Sequence, residues 1–146
     1  MRIHELGHVV LYVTNLERSA NFYRDVLGFR EIVRKKMLAM FSSGRTHHEL
    51  LLIEIGGEAR RKHFPEPGLY HIGFKIGEKT EDIQNAYREL KGSGVHILGA
   101  TDHHVTHSLY IFDPDGNELE LYADVSDEWK KDPTAVARRT RSLDLE

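Results

Sequence analysis

The sequence predicts an α+β fold of two βαβββ modules that form a cup-shaped, barrel-like mixed sheet. Three observations support this prediction: an order of elements that occurs twice, an internal repeat, and the alternation of apolar and polar residues typical of half-buried strands. The length of 146 residues fits one small domain or two fused half-domains. A four-stranded half has one face to bury, and pairing two halves buries it while leaving a concave surface between them.

The first module is predicted over residues 1–56. Its first strand covers about residues 4–13, and a helix follows that Thr14 or Asn15 caps and Gly28 ends. Three strand-like runs come next, FREIVRKK, MLAMFSS and HELLLIEI, separated by short polar turns. The order of this module is therefore β-α-β-β-β.

The same order recurs after a linker, residues 57–68, which is rich in Gly, Pro and charged residues. The second module, residues 69–124, begins with the strand LYHIGFKI and a helix whose cap is Thr80. VHILGA, HSLYIF and ELELYA supply three more strands, and DPDGN is a turn by composition. Residues 125–146 are predicted to be a polar C-terminal tail that Trp129 anchors.

Composition excludes several classes of function. The net charge of -3 argues against a nucleic-acid surface, and no stretch approaches the roughly 18 apolar residues of a membrane-spanning helix. The N-terminus lacks the apolar run of a signal peptide. The absence of cysteine excludes disulfides and thiolate metal sites and fits a reducing cytoplasm. Ten histidines stand out, because histidine is the usual nitrogen ligand of transition metals.

The repeat and the parity of strand residues together predict a metal site. Aligning LGHVVLYV with LYHIGFKI superposes His8 on His71. In ELELY, Glu118 and Glu120 share one strand face while the leucines take the other. Two imidazoles and one carboxylate leave the opposite side of a metal open, as in non-haem Fe(II) oxygenases. We therefore predict a metal site formed by His8, His71 and Glu120.

Three blocks of the chain resemble the signature blocks of the vicinal oxygen chelate superfamily: LGHVVLYVTNLERSANFYRDVLGF, LYHIGFKI and LYIFDPDGNELELYAD. That superfamily includes glyoxalase I, fosfomycin-resistance proteins, bleomycin-binding proteins, methylmalonyl-CoA epimerase and extradiol dioxygenases. The resemblance covers nearly the whole chain and implies paired βαβββ modules around a metal. It also implies metal ligands at His8, His71 and Glu120.

The residues at the ligand positions narrow the choice among the branches of the superfamily. Glyoxalase I has a further carboxylate where this chain has Leu51, and bleomycin-binding members lack the metal triad. Fosfomycin-resistance enzymes share a His, His, Glu set and stay open as an alternative. HHELLLIEI, DHHVTHSLYIFDPDGN and the ending ELYADVSDEWKKDP…TRSLDLE are similar to the small catechol 2,3-dioxygenase-like branch.

That branch implies an extradiol ring-cleaving dioxygenase in which catecholate binds Fe(II) through both oxygens and O₂ takes the remaining position. Tyr110, ten residues before Glu120, matches the family's tyrosine beside the metal. His104 and His107 are the candidates for proton transfer, and strand register favours neither. The other histidines weighed are interpreted as surface or structural: His47, His48, His63, His96 and His103.

The leading hypothesis is an enzyme, a metal-dependent extradiol dioxygenase that takes a small aromatic diol and O₂. Its metal is expected to be Fe(II), with Mn, Ni, Co or Zn as alternatives that the same ligand set accepts. We expect a cytoplasmic homodimer without nucleic-acid or membrane partners. The alternatives are a metal-dependent transferase or isomerase, such as a fosfomycin-resistance-type thiol transferase, and a non-catalytic protein that binds a drug or metabolite.

Overall fold

The structure, a computed structural model, describes residues 1–59 and 65–146. The chain divides into two compact units, Met1–Glu66 and Pro67–Glu146, and each contains one β-α-β-β-β module. The predicted α+β fold with two βαβββ modules is therefore confirmed. His63 lies outside the described residues. Among the described residues, no helix is both long and apolar enough to cross a lipid bilayer.

The first unit is a four-stranded sheet in the order β1-β4-β3-β2. The first and last strands of the module, β1 and β4, pair in parallel at one edge of this sheet, and the other neighbours are antiparallel. The elements are β1 (Val9–Val13), α1 (Leu16–Asn21) with a π-helical turn (Phe22–Val26), β2 (Arg30–Lys35), β3 (Leu38–Ser42) and β4 (Leu50–Glu54).

Strand β1 begins at Val9, so the predicted start near residue 4 is wrong. Pairing with β4 starts only where the Val9 N–H donates to the Glu49 carbonyl at 2.9 Å. Before that point, the carbonyls of Leu6 and Gly7 accept from the Arg45 guanidinium at 3.3 and 2.9 Å. Apolar alternation extends beyond the partner strand, and a strand ends where its partner ends.

The helix signals of the first unit act as predicted. Between the two candidate caps, the Asn15 side chain accepts from the Arg18 N–H at 2.8 Å, which satisfies one of the free N–H groups of the first turn. Gly28 has a φ of 75° and ends the helical segment, a conformation that favours glycine. The largest fully buried apolar side chains of this unit are Val13, Tyr23, Phe41, Leu50 and Leu52.

The second unit is a five-stranded sheet in the order β5-β8-β7-β6-β9. Here too the first and last strands of the module, β5 and β8, are parallel neighbours. The elements are β5 (His71–Gly77), α2 (Thr80–Gly92), β6 (Ile97–Asp102), β7 (Thr106–Phe112), β8 (Glu118–Asp124) and β9 (Arg141–Ser142).

The cap of α2 differs from the prediction, because Thr80 is the first helical residue and Lys79 is the N-cap. The Asp82 carboxylate accepts from the N–H groups of Glu78 and Lys79 at 2.9 and 3.0 Å and so satisfies the helix start. The Thr80 hydroxyl instead lies 3.0 Å from Nδ1 of His107.

The C-terminal segment, residues 125–146 after β8, is fixed to the second unit by ionic and backbone contacts. Arg141 pairs with Asp102 within the β9–β6 ladder and at 3.2 Å through their side chains. The Glu128 carboxylate lies 2.7 Å from His104 Nε2 and 2.6 Å from the Arg138 guanidinium. His104 reaches it from a backbone with φ of 72°, a conformation uncommon outside glycine. This segment is therefore a bound part of the unit.

Acid is expected to release this segment through Glu128. The hydrogen bond from His104, together with Arg138, lowers the pKa of Glu128 below its ordinary 4.5. A lowered pKa adds stability that is complete above about pH 4.5 and is lost as pH falls through the lowered value. The emission of Trp129, next in sequence to Glu128, should report the change. Glu128→Gln should lack this step, and an unchanged acid transition in that variant would contradict the assignment.

Candidate metal centre

The second unit brings together two of the three predicted metal ligands. His71 on β5 and Glu120 on β8 lie with Nε2 and Oε2 3.2 Å apart. Strand β8 alternates as predicted, with Leu119, Leu121 and Ala123 buried and Glu120 on the opposite, half-buried face. Gly73 pairs directly with Glu120, and a Cβ there would already touch Oε2 at 3.5 Å, so glycine leaves room beside the carboxylate.

The same register occurs at the equivalent place in the first unit. In β5 and β8 the residue two after His71 pairs with Glu120. In β1 and β4 the residue two after His8 pairs with Leu51. The repeat alignment of His8 with His71 and of Leu51 with Glu120 therefore agrees with the strand register of both sheets. Because Leu51 has no donor atom, this position supplies no fourth ligand.

His8 lies directly before β1, and its ring lies beside that of another histidine, His48. Its centroid is 4.7 Å from that of His48, and His47 and His48 place their Nδ1 atoms 2.6 Å apart. Burial lowers the pKa of His48, and the neighbouring His47 and His8 lower it further. A neutral imidazole is the form that binds a metal. The contact with His48 is a feature that strand parity could not reveal, because it joins a strand end to a loop.

Tyr110 lies on the same side of the sheet as Glu120, as predicted. The two residues pair across β7 and β8, and the Tyr110 hydroxyl donates to Glu120 Oε1 at 2.9 Å. Burial raises the pKa of Tyr110 above its ordinary value, and the adjacent Glu120 carboxylate raises it further. The phenol therefore stays protonated at neutral pH and acts as a hydrogen-bond donor.

The histidine beside Tyr110 is His103, not His104 or His107. His103 Nε2 lies 2.8 Å from the Tyr110 hydroxyl and 4.0 Å from Glu120 Oε1. His107 pairs with Ala123, so it faces away from Glu120, and its ring contacts Thr80.

His104, the other sequence candidate, contacts Glu128 and Arg138 in the C-terminal segment. His104 has a positive φ and lies in the tight turn between the antiparallel strands β6 and β7. The side chains of His103 and His104 therefore contact different parts of the unit. A count of strand parity stops at such a turn, which is why the sequence did not distinguish these neighbours. His96 is exposed, as predicted.

The donor set of the second unit fits a divalent transition metal. Imidazole nitrogen and carboxylate oxygen are the ligands that such ions accept. Nδ1 of His71 is buried without a hydrogen-bond partner in the described residues, and Glu118 Oε1 lies 3.6 Å away. A small approach would let Nδ1–H donate to Glu118, leaving Nε2 free for a metal. Among the described residues, no three His, Cys, Asp or Glu side chains stand together as a complete ligand set.

A cavity of about 290 Å³ opens beside Glu120 within the second unit. This volume lies just below the range of about 300–1,000 Å³ typical of small-molecule sites. Residues of the β6–β7 turn, β7, β8 and the C-terminal segment line it: Val105, Thr106, Glu120, Tyr122, Asp124, Trp129 and Val136. Glu120, whose carboxylate also contacts His71, therefore lies in the wall of an open cavity.

Comparison with known proteins shows relatives of two chemical classes. The catechol-2,3-dioxygenase of Bacillus subtilis (strain 168) is 32% identical over 149 residues, covering 99% of this chain and 52% of that protein. The biphenyl-2,3-diol 1,2-dioxygenase 3 of Rhodococcus globerulus is 31% identical over 82% of this chain and 63% of that protein. The chain thus spans about half to two thirds of the length of these dioxygenases.

Other relatives have nearly the same length as this chain. The metallothiol transferase FosB of Staphylococcus haemolyticus (strain JCSC1435) is 30% identical over 80% of this chain and 81% of that protein. Among solved structures, the fosfomycin resistance protein FosX of Listeria monocytogenes matches with a TM-score of 0.68 and 22% identity, covering 87% of this chain and 98% of that one. At that identity the structural match speaks for the fold alone.

One protein family matches most of the chain. Residues 5–121 match the family described as the Glyoxalase/Bleomycin resistance protein/Dioxygenase superfamily. This range includes both modules up to β8 and all three predicted ligands. Of the relatives named above, two are dioxygenases and one is a metallothiol transferase. With its two βαβββ modules and this match, the chain belongs to the glyoxalase/bleomycin resistance protein/dioxygenase superfamily.

Proposed function

We propose that this protein is a metal-dependent extradiol dioxygenase that cleaves the ring of a small aromatic vicinal diol. The observation that carries the proposal is the Tyr110 hydroxyl, which joins His103 Nε2 and the Glu120 carboxylate at 2.8 and 2.9 Å. It places a proton donor directly on a predicted metal ligand. The similarity to the Bacillus catechol-2,3-dioxygenase and the Rhodococcus dioxygenase supports the same reaction class.

In this proposal His8, His71 and Glu120 hold the metal, with Fe(II) as the first choice and Mn, Ni, Co or Zn as alternatives. When bound, the metal would supply Lewis-acid polarisation of both diol oxygens and, as iron, a redox partner for O₂. Glu118 would orient the His71 ring through Nδ1, so that Nε2 faces Glu120. Leu51, the repeat equivalent of Glu120, has no atom that could bind the metal.

For proton transfer, the protein itself would contribute a series of hydrogen-bonded side chains: His103, Tyr110 and Glu120. A phenol has one proton, and here it is donated to Glu120 Oε1, so His103 donates its Nε2–H to the Tyr110 oxygen. Histidine is the side chain that most often exchanges protons in enzymes. Tyr110 would hold the proton nearest the reacting diol, and His103 would position Tyr110 and replace that proton.

Tyr110→Phe is expected to lower kcat about 10²-fold or more while leaving the metal content unchanged. General acid–base groups contribute about 10²–10⁴-fold, and this substitution removes the hydroxyl without removing the ring. Steady-state rates and elemental analysis of the same preparation measure both quantities. Tyr87→Phe is the matched control, because its hydroxyl contacts Glu146 on the surface. Equal loss in the two variants would contradict a specific role for Tyr110.

A second candidate is a metal-dependent thiol transferase that acts on fosfomycin. It is favoured by the 30% identity to the Staphylococcus haemolyticus metallothiol transferase, since the match covers 81% of that protein and 52% of the Bacillus dioxygenase. The same three residues would hold the metal in this reaction. The two candidates differ in whether O₂ or a thiol is consumed.

One experiment separates them. Protein reconstituted anaerobically with Fe(II) is exposed to air with catechol and substituted catechols, and O₂ consumption and the yellow ring-cleavage product are recorded. The proposal expects one O₂ consumed per diol, with cleavage of the carbon–carbon bond beside the two hydroxyls. If no catechol yields product while Mn- or Fe-loaded protein joins a thiol to fosfomycin, the dioxygenase proposal is wrong. Metal bound without either reaction would favour a binding protein.

We propose further that the enzyme acts as a homodimer in the cytoplasm. This rests on the superfamily resemblance and on the absence of cysteine in the sequence. Sedimentation equilibrium of the purified chain tests the oligomeric state, and cell fractionation tests the location.

A further inference from the structure

The C-terminal segment contributes two apolar side chains to the cavity beside Glu120. Trp129 and Val136 line that cavity, and they keep 39% and 58% of their surface exposed. Trp129 belongs to a short 3₁₀ turn, Glu128–Lys130, and Val136 to a second one, Pro133–Ala137. Apolar side chains that stay open beside a polar group are typical of a ligand site.

These side chains are held in place by their neighbours rather than by a core of their own. Glu128, next to Trp129, is bound by His104 and Arg138 at 2.7 and 2.6 Å. Ala135, next to Val136, is fully buried. Farther along, the Leu143 N–H donates to the Ala100 carbonyl at 3.1 Å. The side chains of Trp129 and Val136 are therefore already in position at the cavity before a ligand binds.

The charges around the cavity disfavour an anionic ligand group. None of the seven lining residues is cationic, and two of them, Glu120 and Asp124, are carboxylates. Asp124 is already paired with Lys75 at 2.7 Å. An added carboxylate would lose water at this wall without gaining a basic partner, whereas an apolar group would gain contact with the indole and the valine methyls.

We propose that the segment after β8 forms the specificity wall of the site, with Trp129 and Val136 selecting a diol whose ring carries an uncharged, apolar substituent. This inference rests on the proposed function, because the diol itself would lie at Glu120. It names the class of substrate: alkyl- or aryl-substituted catechols rather than catechols with a carboxylate.

Binding is tested with the chain's single tryptophan. Trp129 emission is excited at the red edge of indole absorption while the metal-loaded protein is titrated anaerobically with 3-phenylcatechol or 2,3-dihydroxybenzoate, with free indole as the absorption control. The proposal expects a saturable change with 3-phenylcatechol and about tenfold weaker binding of 2,3-dihydroxybenzoate. No change with 3-phenylcatechol, or equal binding of both ligands, would overturn the inference.

A charge placed at the wall gives a test that misfolding cannot imitate. Val136→Lys should shift the ratio of the two dissociation constants toward 2,3-dihydroxybenzoate by about tenfold, because it removes an apolar contact and adds a cation. Ala137→Lys is the matched control, since it adds the same charge at an exposed neighbour outside the cavity lining. Val136→Ala should weaken only the binding of 3-phenylcatechol. Equal ratios in the two lysine variants would overturn the wall.

Failure of this inference and failure of the proposed function give different results. If the emission and the lysine variants behave as expected but no catechol is cleaved, the wall stands and the dioxygenase proposal fails. If catechols are cleaved but Val136→Lys and Ala137→Lys show the same preference, the dioxygenase proposal stands and the wall is wrong.

Discussion

Replacement of Glu120 by alanine is expected to remove stoichiometric binding of a divalent metal and to lower turnover about a thousandfold or more. The carboxylate contacts His71 through one oxygen and Tyr110 through the other, so its loss removes a proposed metal ligand and the acceptor of the Tyr110 hydrogen bond. Lewis-acid stabilisation supplies several kcal/mol in such sites, and each ~1.4 kcal/mol is a factor of ten in rate. His71→Ala and His8→Ala should have the same effect.

The measurement is metal content by elemental analysis after dialysis, together with the rate of product formation. Glu81→Ala is the matched control, because it removes an exposed carboxylate from the first turn of α2. Circular dichroism establishes that each variant is folded. A Glu120→Ala or His8→Ala protein that retains one metal per chain would refute the proposed ligand set.

Replacement of Leu119 by alanine is expected to reduce the free energy of unfolding by about 2–5 kcal/mol. Leu119 is fully buried on the face of β8 opposite Glu120, together with Leu121 and Ala123. Truncating a buried leucine removes apolar contact and leaves a cavity that the packed sheet only partly closes. The loss is a large part of a typical stability of about 5–15 kcal/mol, so the melting temperature should fall by about 5–15 °C.

Urea titration and thermal denaturation measure this loss. Leu98→Ala on β6 is the control, because Leu98 is 39% exposed and should cost less than about 1 kcal/mol. The folded fraction of Leu119→Ala should still bind metal at full stoichiometry. Adjacent residues of one strand would then separate the two functions, with Leu119 acting on stability and Glu120 on the metal. Comparable losses in Leu119→Ala and Leu98→Ala would contradict this division.

Much of the fold follows from local patterns. The alternation in ELELYAD indicates which side of β8 is buried, and Asn15 and Gly28 mark the ends of a helical segment through their own side-chain and backbone chemistry. The start of β1 does not follow, because it depends on where β4 offers a partner. Likewise Asp82 rather than Thr80 caps α2, because the Asp82 carboxylate reaches two N–H groups at once.

The residues of the candidate site likewise fall into those that the sequence predicts and those that it does not. The positions of Glu120 and Tyr110 follow from strand parity, since residues on one face of paired strands are neighbours. The choice of His103 over His104 and His107 depends on a turn in which one residue has positive φ. The alternation of strand residues does not continue through such a turn, so the sequence did not predict which histidine contacts Tyr110.

The sequence by itself therefore determined the repeated βαβββ order, the buried faces of the strands and the candidate set His8, His71 and Glu120. Each of these depends on spacing within one element or on similarity between the two halves. Only the tertiary structure decided that His103 contacts Tyr110 and that Trp129 and Val136 line the cavity beside Glu120. These contacts join elements far apart in the chain, and their geometry depends on strand pairing, on the turn at His104 and on the charges that hold the C-terminal segment.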